Sequence, residues 1–248
     1  MDIWIINPTI TSRWNAGTRQ AYADAARPGT EVTVVSLEWG TASIESLRDE
    51  VLITPGVLSK AVEAEKAGAD AVIVDCMADP GLSAARELLE IPFVGPAQAS
   101  MHLAAVLGHR FSFLTVFDQD VPAFEDMVAR YGLSTRLASV RAFNIPVLSL
   151  EEDVDETVRV LVDIAAKAVK EDKAHIIIPG CTGLAGLAPR IQAGLREQEC
   201  EVPVLDPPLV ALKLAEALVD MGQTHSKRTY QPPPGKEIRW PTSIPFTT

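Results

Sequence analysis

The feature that most restricts the fold is an internal echo. The stretch IPFVGPAQASMHLAAVLG (91–108) has a counterpart in VPVLDPPLVALKLAEALVDMG (202–222): a short β-branched run, a proline-bearing turn, then an apolar helical segment. Upstream of each, an apolar strand-like run ends in a cysteine, in GADAVIVDCMADPGLSAAREL (68–88) and HIIIPGCTGLAG (175–186). The offset between Pro92 and Pro203 is close to that between Cys76 and Cys181, and loop length absorbs the difference. A duplicated α/β half accounts for both echoes.

The rest of the chain fits that plan. Strand-like runs at 3–6, 31–35, 71–74 and 93–94 alternate with helix-like segments at 14–26, 58–67, 82–89 and 101–107. The later chain repeats the alternation, with strands near 111–116, 137–143, 175–178 and 202–205 and helices near 122–131, 154–170, 189–197 and 209–221. Continuous apolar strands between helices mean parallel sheets covered on both faces. The expected fold is α/β: two similar Rossmann-like halves related by a pseudo-twofold axis, with the active site in the cleft between them. The expected division is a first half of 1–97 with 208–225 and a second half of 98–207. A C-terminal arm of 226–248, which includes three consecutive prolines, is expected to lie free or on a neighbouring subunit.

With 47% hydrophobic and 22% charged residues over 248 positions, the chain has ample material for a core. The net charge of −11 is spread along the sequence, which disfavours nucleic acid, because phosphate binding needs clustered Lys and Arg. No apolar run is long enough to span a membrane, and the opening MDIWIINPTITSRW does not read as a signal peptide. The expectation is a soluble cytoplasmic protein whose three cysteines remain thiols. His102, His109, His175 and His225 show no ligand spacing, so no metal is expected. No dinucleotide fingerprint or pyridoxal-lysine context is present either, and no cofactor is expected.

Open α/β sheets bind ligands at the C-terminal ends of their strands, which is where Cys76 and Cys181 fall. A thiol before a helix lies near unpaired N–H groups, which are expected to lower its pKa. Two such thiols facing each other supply a base and an acid on opposite sides of a small molecule, with amides to hold a developing enolate. That arrangement inverts a carbon acid. A lone cysteine at a strand end is more simply core packing, and Cys200, which lacks an equivalent, is read so.

CMADPGLSAARE (76–87), GPAQASMHLA (95–104), PGCTGLAG (179–186), SIESLRDE (43–50) and INP (6–8) together resemble the hydantoin racemase branch, including allantoin racemases, of the aspartate/glutamate racemase superfamily. The likeness runs from residue 1 to about residue 225. It implies a cofactor-independent, commonly homo-oligomeric enzyme that inverts C5 of a 5-substituted hydantoin or of allantoin, with Cys76 and Cys181 as the acid/base pair. By the same resemblance Asn7 and Thr115 contact substrate. The branch usually continues NPNT, whereas this chain reads Asn7-Pro8-Thr9-Ile10-Thr11, which removes an amide that could read the ligand.

Other candidates have competing readings. Thr182 and Gly183 are expected to offer backbone amides behind Cys181, and Met77 adjoins Cys76. Ser43, Ile44 and Glu45 read as a helix start, with a pocket contact of the family type as the alternative. Trp14 and Trp39 follow the first two strands and either wall a pocket or cover the core. Asp75 and Asp79 flank Cys76, where each either tunes the thiol, meets a substrate N–H or serves the turn. Two further activities stay open: another superfamily reaction on a small carboxylic or amino acid (decarboxylation, amino-acid racemisation or maleate-type isomerisation), and a non-catalytic two-lobed binding protein.

Overall fold

The computed structural model describes residues 1–237. The first half carries β1 (Asp2–Asn7), α1 (Asn15–Ala25), β2 (Glu31–Ser36), α2 (Leu47–Lys66), β3 (Ala71–Val74), α3 (Leu82–Leu88) and β4 (Phe93–Val94). There follow α4 (Pro96–Leu107), β5 (Phe111–Thr115), α5 (Val121–Arg130), β6 (Leu137–Ala142), α6 (Val154–Lys170), β7 (Ile176–Pro179), α7 (Ala188–Glu197) and α8 (Pro207–Asp220).

Two parallel sheets result, ordered β2-β1-β3-β4 and β6-β5-β7. β3, β5 and β7 are buried along their whole length, as continuous apolar runs between two helical layers must be. The expected strand 202–205 is reduced to a parallel bridge between Val204 and Ile177. Pro203, which has no N–H, accepts from Ile177 N, so this edge can pair only briefly. With Val204 in the position of β4, the second sheet repeats the order of the first.

α4 and α8 exchange between the halves. α4 follows the first sheet, yet its Ala97, Met101 and Ala104 pack with Phe111, Phe113, Ile176 and Ile178 of the second. α8 follows the second sheet, yet its Ala211, Leu212 and Ala215 pack with Ile3, Ile5 and Ile73 of the first. The two helices also lie against each other, so neither sheet has a complete core without chain from beyond it.

Two expectations are corrected. The helix expected from Leu58 begins at Leu47 and carries Pro55 inside it, because Ser46 caps it by accepting from Asp49 N at 3.2 Å. Ser43 to Glu45 therefore lie on the loop before the helix. The start of the arm lies on its own chain rather than free: Lys227 Nζ donates to Arg86 O at 2.9 Å and the Tyr230 hydroxyl accepts from Arg86 Nη1 at 3.3 Å. Positions 238–248 of that arm lie outside the described residues.

Candidate active site

The strand registers show why the cysteines correspond. In the first sheet Ile6 pairs with Val74, in the second Leu114 pairs with Pro179. One residue beyond Ile6 and Leu114 stand Asn7 and Thr115, and two beyond Val74 and Pro179 stand Cys76 and Cys181. The two pairs thus occupy matching positions at the C-terminal edges of their sheets. A cavity of about 720 Å³ lies between these edges and is lined by all four.

Ser43, Met77, Thr182 and Gly183 also line it. Trp39 does not: it is 45% exposed on the turn after β2, while Leu37 takes the inward place beside Ile53 and Val57. Trp14 is the tryptophan on the cavity wall.

Each thiol is positioned by a tight turn. Cys76 N donates to Val74 O and Asp79 N donates to Cys76 O, folding the chain back just past β3. Behind Cys181, Gly180 N donates to Leu114 O at 2.8 Å, and a Cβ at Gly180 would lie 2.7 Å from that carbonyl. Only glycine allows this approach. At Gly183 a Cβ would meet Leu150 Cδ1 at 3.3 Å and Cys181 Sγ at 3.4 Å.

The expectation of low thiol pKa values is overturned. Burial pushes Cys181 up to about 12; the Gly183 N–H pulls the other way, while Asp75 and Glu45 push further up. Cys76 is raised still more, by burial first, with the Ala78 N–H opposing and Cys181, Asp79 and Glu50 adding to the rise. The reason is local. α3 starts only at Leu82 and α7 only at Ala188, so neither thiol sits at an α-helix N-terminus, and a single amide does not offset desolvation.

The two aspartates separate. Asp79 is buried at φ 50° and serves structure: it accepts from Ala97 N (3.0 Å), Gln98 N (2.8 Å) and the Tyr131 hydroxyl (2.9 Å). It caps α4 in place of Gly95, where a Cβ would come within 2.4 Å of its carboxyl. Asp75 lines the cavity and accepts from the buried Tyr22 hydroxyl at 3.1 Å. Its carboxyl is pushed up to about 7, by burial first, with the Tyr22 bond opposing and Asp206 adding.

Thr9, in place of the usual second Asn, takes a supporting role. Its hydroxyl donates to Asn7 Oδ1 at 3.1 Å while Asn7 Nδ2 donates to Asn15 Oδ1 at 3.1 Å, so the Asn7 amide is fixed at both ends. Thr115 lines the cavity, while its hydroxyl is buried and has no hydrogen-bond partner among the described residues.

Several wall residues carry no local signature. Phe124 and Met127 of α5, Val147 and Leu150 read as ordinary core. Their place at the mouth depends on how the halves meet. Among the described residues no group of three or more His, Cys, Asp or Glu is placed to hold a metal ion, and no helix is long and apolar enough to cross a membrane.

Comparison with known proteins bears on this geometry. Residues 3–215 match the Asp/Glu/Hydantoin racemase family. A hydantoin racemase of Pseudomonas sp. (strain NS671) is 40% identical over 238 residues, covering 96% of this chain and 94% of that one. Among solved structures, the allantoin racemase from Klebsiella pneumoniae superposes with a TM-score of 0.90 at 33% identity, covering 97% of this chain and 96% of that one. The allantoin racemase from Pseudomonas fluorescens gives 0.90 at 35%, covering 97% and 100%.

Proposed function

Because the chain belongs to the Asp/Glu/hydantoin racemase family, we propose that it inverts the C5 centre of a 5-substituted hydantoin, using Cys76 and Cys181 as a two-base pair. The observation that carries this reading is the register match, which puts the two thiols at equivalent ends of the two sheets on the wall of one cavity.

One thiolate takes the C5 proton from its face, and the electron pair moves into the adjoining carbonyl as an enolate. The opposite thiol then gives its proton to the other face, so the thiols exchange protonation states and no electrons are gained or lost. A base with a raised pKa suits this step: it is rarely ionised, but once ionised it is closer in strength to a carbon acid. The Ala78 and Gly183 amides stabilise the two thiolates. Thr115 contacts the substrate ring from the second half, at the position that Asn7 holds in the first. The fixed amide of Asn7 reads the ring beside it.

Ile44, Leu47, Phe124, Met127, Val147 and Leu150 give the cavity an apolar flank, which favours an apolar substituent at C5. Allantoin is the second reading, because both structures named above are allantoin racemases. Polarimetry on optically pure 5-benzylhydantoin and allantoin separates the two. The account expects rapid loss of rotation with the benzyl compound and slower loss with allantoin. Faster loss with allantoin reverses the substrate order, and an unchanged rotation with both contradicts the racemase reading.

A further inference from the structure

We propose that Glu45 is a positioning residue of the site: a clasp by which the first half holds the 147–150 segment of the second half over Cys181. The inference rests on the racemase reading for its effect on turnover, though not for its effect on thiol access.

Glu45 stands on the loop before α2 and lines the cavity. Its carboxylate accepts from Val147 N at 2.9 Å, and its backbone carbonyl accepts from Gln119 Nε2 at 3.3 Å. Both partners belong to the second half. Its own N–H donates to Asp49 Oδ2 at 3.2 Å, which ties the loop to the first turn of α2. One short loop therefore grips the other half at two points.

What the grip holds matters. Val147 begins a single helical turn that ends at Leu150, which is buried, and Leu150 lies against Gly183 beside the Cys181 sulfur. From behind, the Thr157 hydroxyl of α6 donates to Leu150 O at 3.2 Å. The turn is thus fixed from α6 on one side and from Glu45 on the other, with Cys181 beneath it. Releasing Glu45 leaves the turn bonded to α6 alone of these two supports.

Other links between the halves do not substitute. Asp79 to Tyr131 and Thr182 to Asp75 join the halves beside the turn after β3, away from Val147. Arg13 and Glu151 approach only to 3.7 Å with both side chains about half exposed, a geometry that contributes little. A carboxylate accepting from a backbone N–H is the stronger kind of bond. The shielding of Cys181 therefore depends on Glu45, whereas Cys76 lies on the Glu45 side of the cleft.

The test compares Glu45→Ala and Glu45→Gln with the wild type. Iodoacetamide labelling of each cysteine is followed by mass spectrometry, and kcat and KM are measured on 5-benzylhydantoin. In Glu45→Ala the account expects Cys181 to label about tenfold faster relative to Cys76, with kcat/KM falling by a similar factor. Glu45→Gln removes the charge that raises the Cys181 pKa but keeps an acceptor for Val147 N, so it should stay near wild type; a Glu45→Gln protein that labels Cys181 as fast as Glu45→Ala assigns the effect to charge and overturns the clasp. An unchanged Cys181 to Cys76 ratio in Glu45→Ala overturns the proposal, whether both rates stay constant or both rise together. The labelling arm needs no substrate, so a wild type that racemises nothing defeats the racemase reading and leaves this test standing.

Discussion

The hydroxyl of Thr182 donates to the backbone carbonyl of Asp75 over 3.0 Å, so the residue after one thiol is bonded to the residue before the other. The distance between the two thiols is therefore set by a direct bond across the cleft as well as by the packing of the halves. A two-base mechanism needs that span held constant, because each thiol must reach the same carbon from opposite faces.

Thr182→Val keeps the shape and removes the bond. The account predicts a fall in kcat/KM of about tenfold, as expected for losing one hydrogen bond that positions reacting groups, with Thr182→Ser retaining most activity. Steady-state kinetics with a thermal melt as control checks it. Equal kinetics for Thr182→Val and wild type would show that the bond does not position the thiols.

The raised thiol pKa values predict a pH profile for free enzyme. Cys181, at about 12, is almost entirely protonated at neutral pH, so its alkylation rate should rise close to tenfold per pH unit from about pH 7 to 10 without levelling. Cys76 should behave likewise, and buried Cys200 should label last. A plateau below about pH 9 for either site thiol would mean a thiolate stabilised beyond what burial permits.

Asp75 predicts a pH dependence of stability. Its folded pKa, about 7, lies above that of an ordinary aspartate, so its stabilising contribution is fully present below about pH 4 and is lost as pH rises towards 7. Asp75→Asn removes that loss while keeping an acceptor for Tyr22. Urea unfolding at several pH values should show the variant gaining on the wild type as pH climbs through this window. Asp79, raised to about 6, keeps a remaining slope in both proteins. Parallel curves would mean that Asp75 is not strained by burial.

Much of this was legible in the sequence because it is carried by local pattern. The parallel sheets follow from apolar runs such as 71–74 and 176–179, and the cysteine pair from the echo between halves. Four features were not legible. Pro55 hides the true start of α2, because its helix penalty is local while the Ser46 cap and the buried Ile53 and Val57 lie on either side of it. The thiol pKa values depend on how much water the meeting of the two halves excludes, which no strand-turn pattern records. The Glu45–Val147 bond and the place of Leu150 arise only through contact between halves, and Trp39 stands 45% exposed while Leu37 packs into the core.

The central claim is that each thiol serves one face of the stereocentre, and proton exchange in D₂O tests it most directly. Cys76→Ser and Cys181→Ser each replace a thiol with a far poorer base and should abolish inversion. Each surviving thiol should still remove the C5 proton from the enantiomer that points it that way and return deuterium to the same face. The account predicts slow deuterium uptake without inversion, above the enzyme-free background, into opposite enantiomers in the two variants, and none in the double variant. Full racemisation by either single variant, or exchange into the same enantiomer by both, would contradict it.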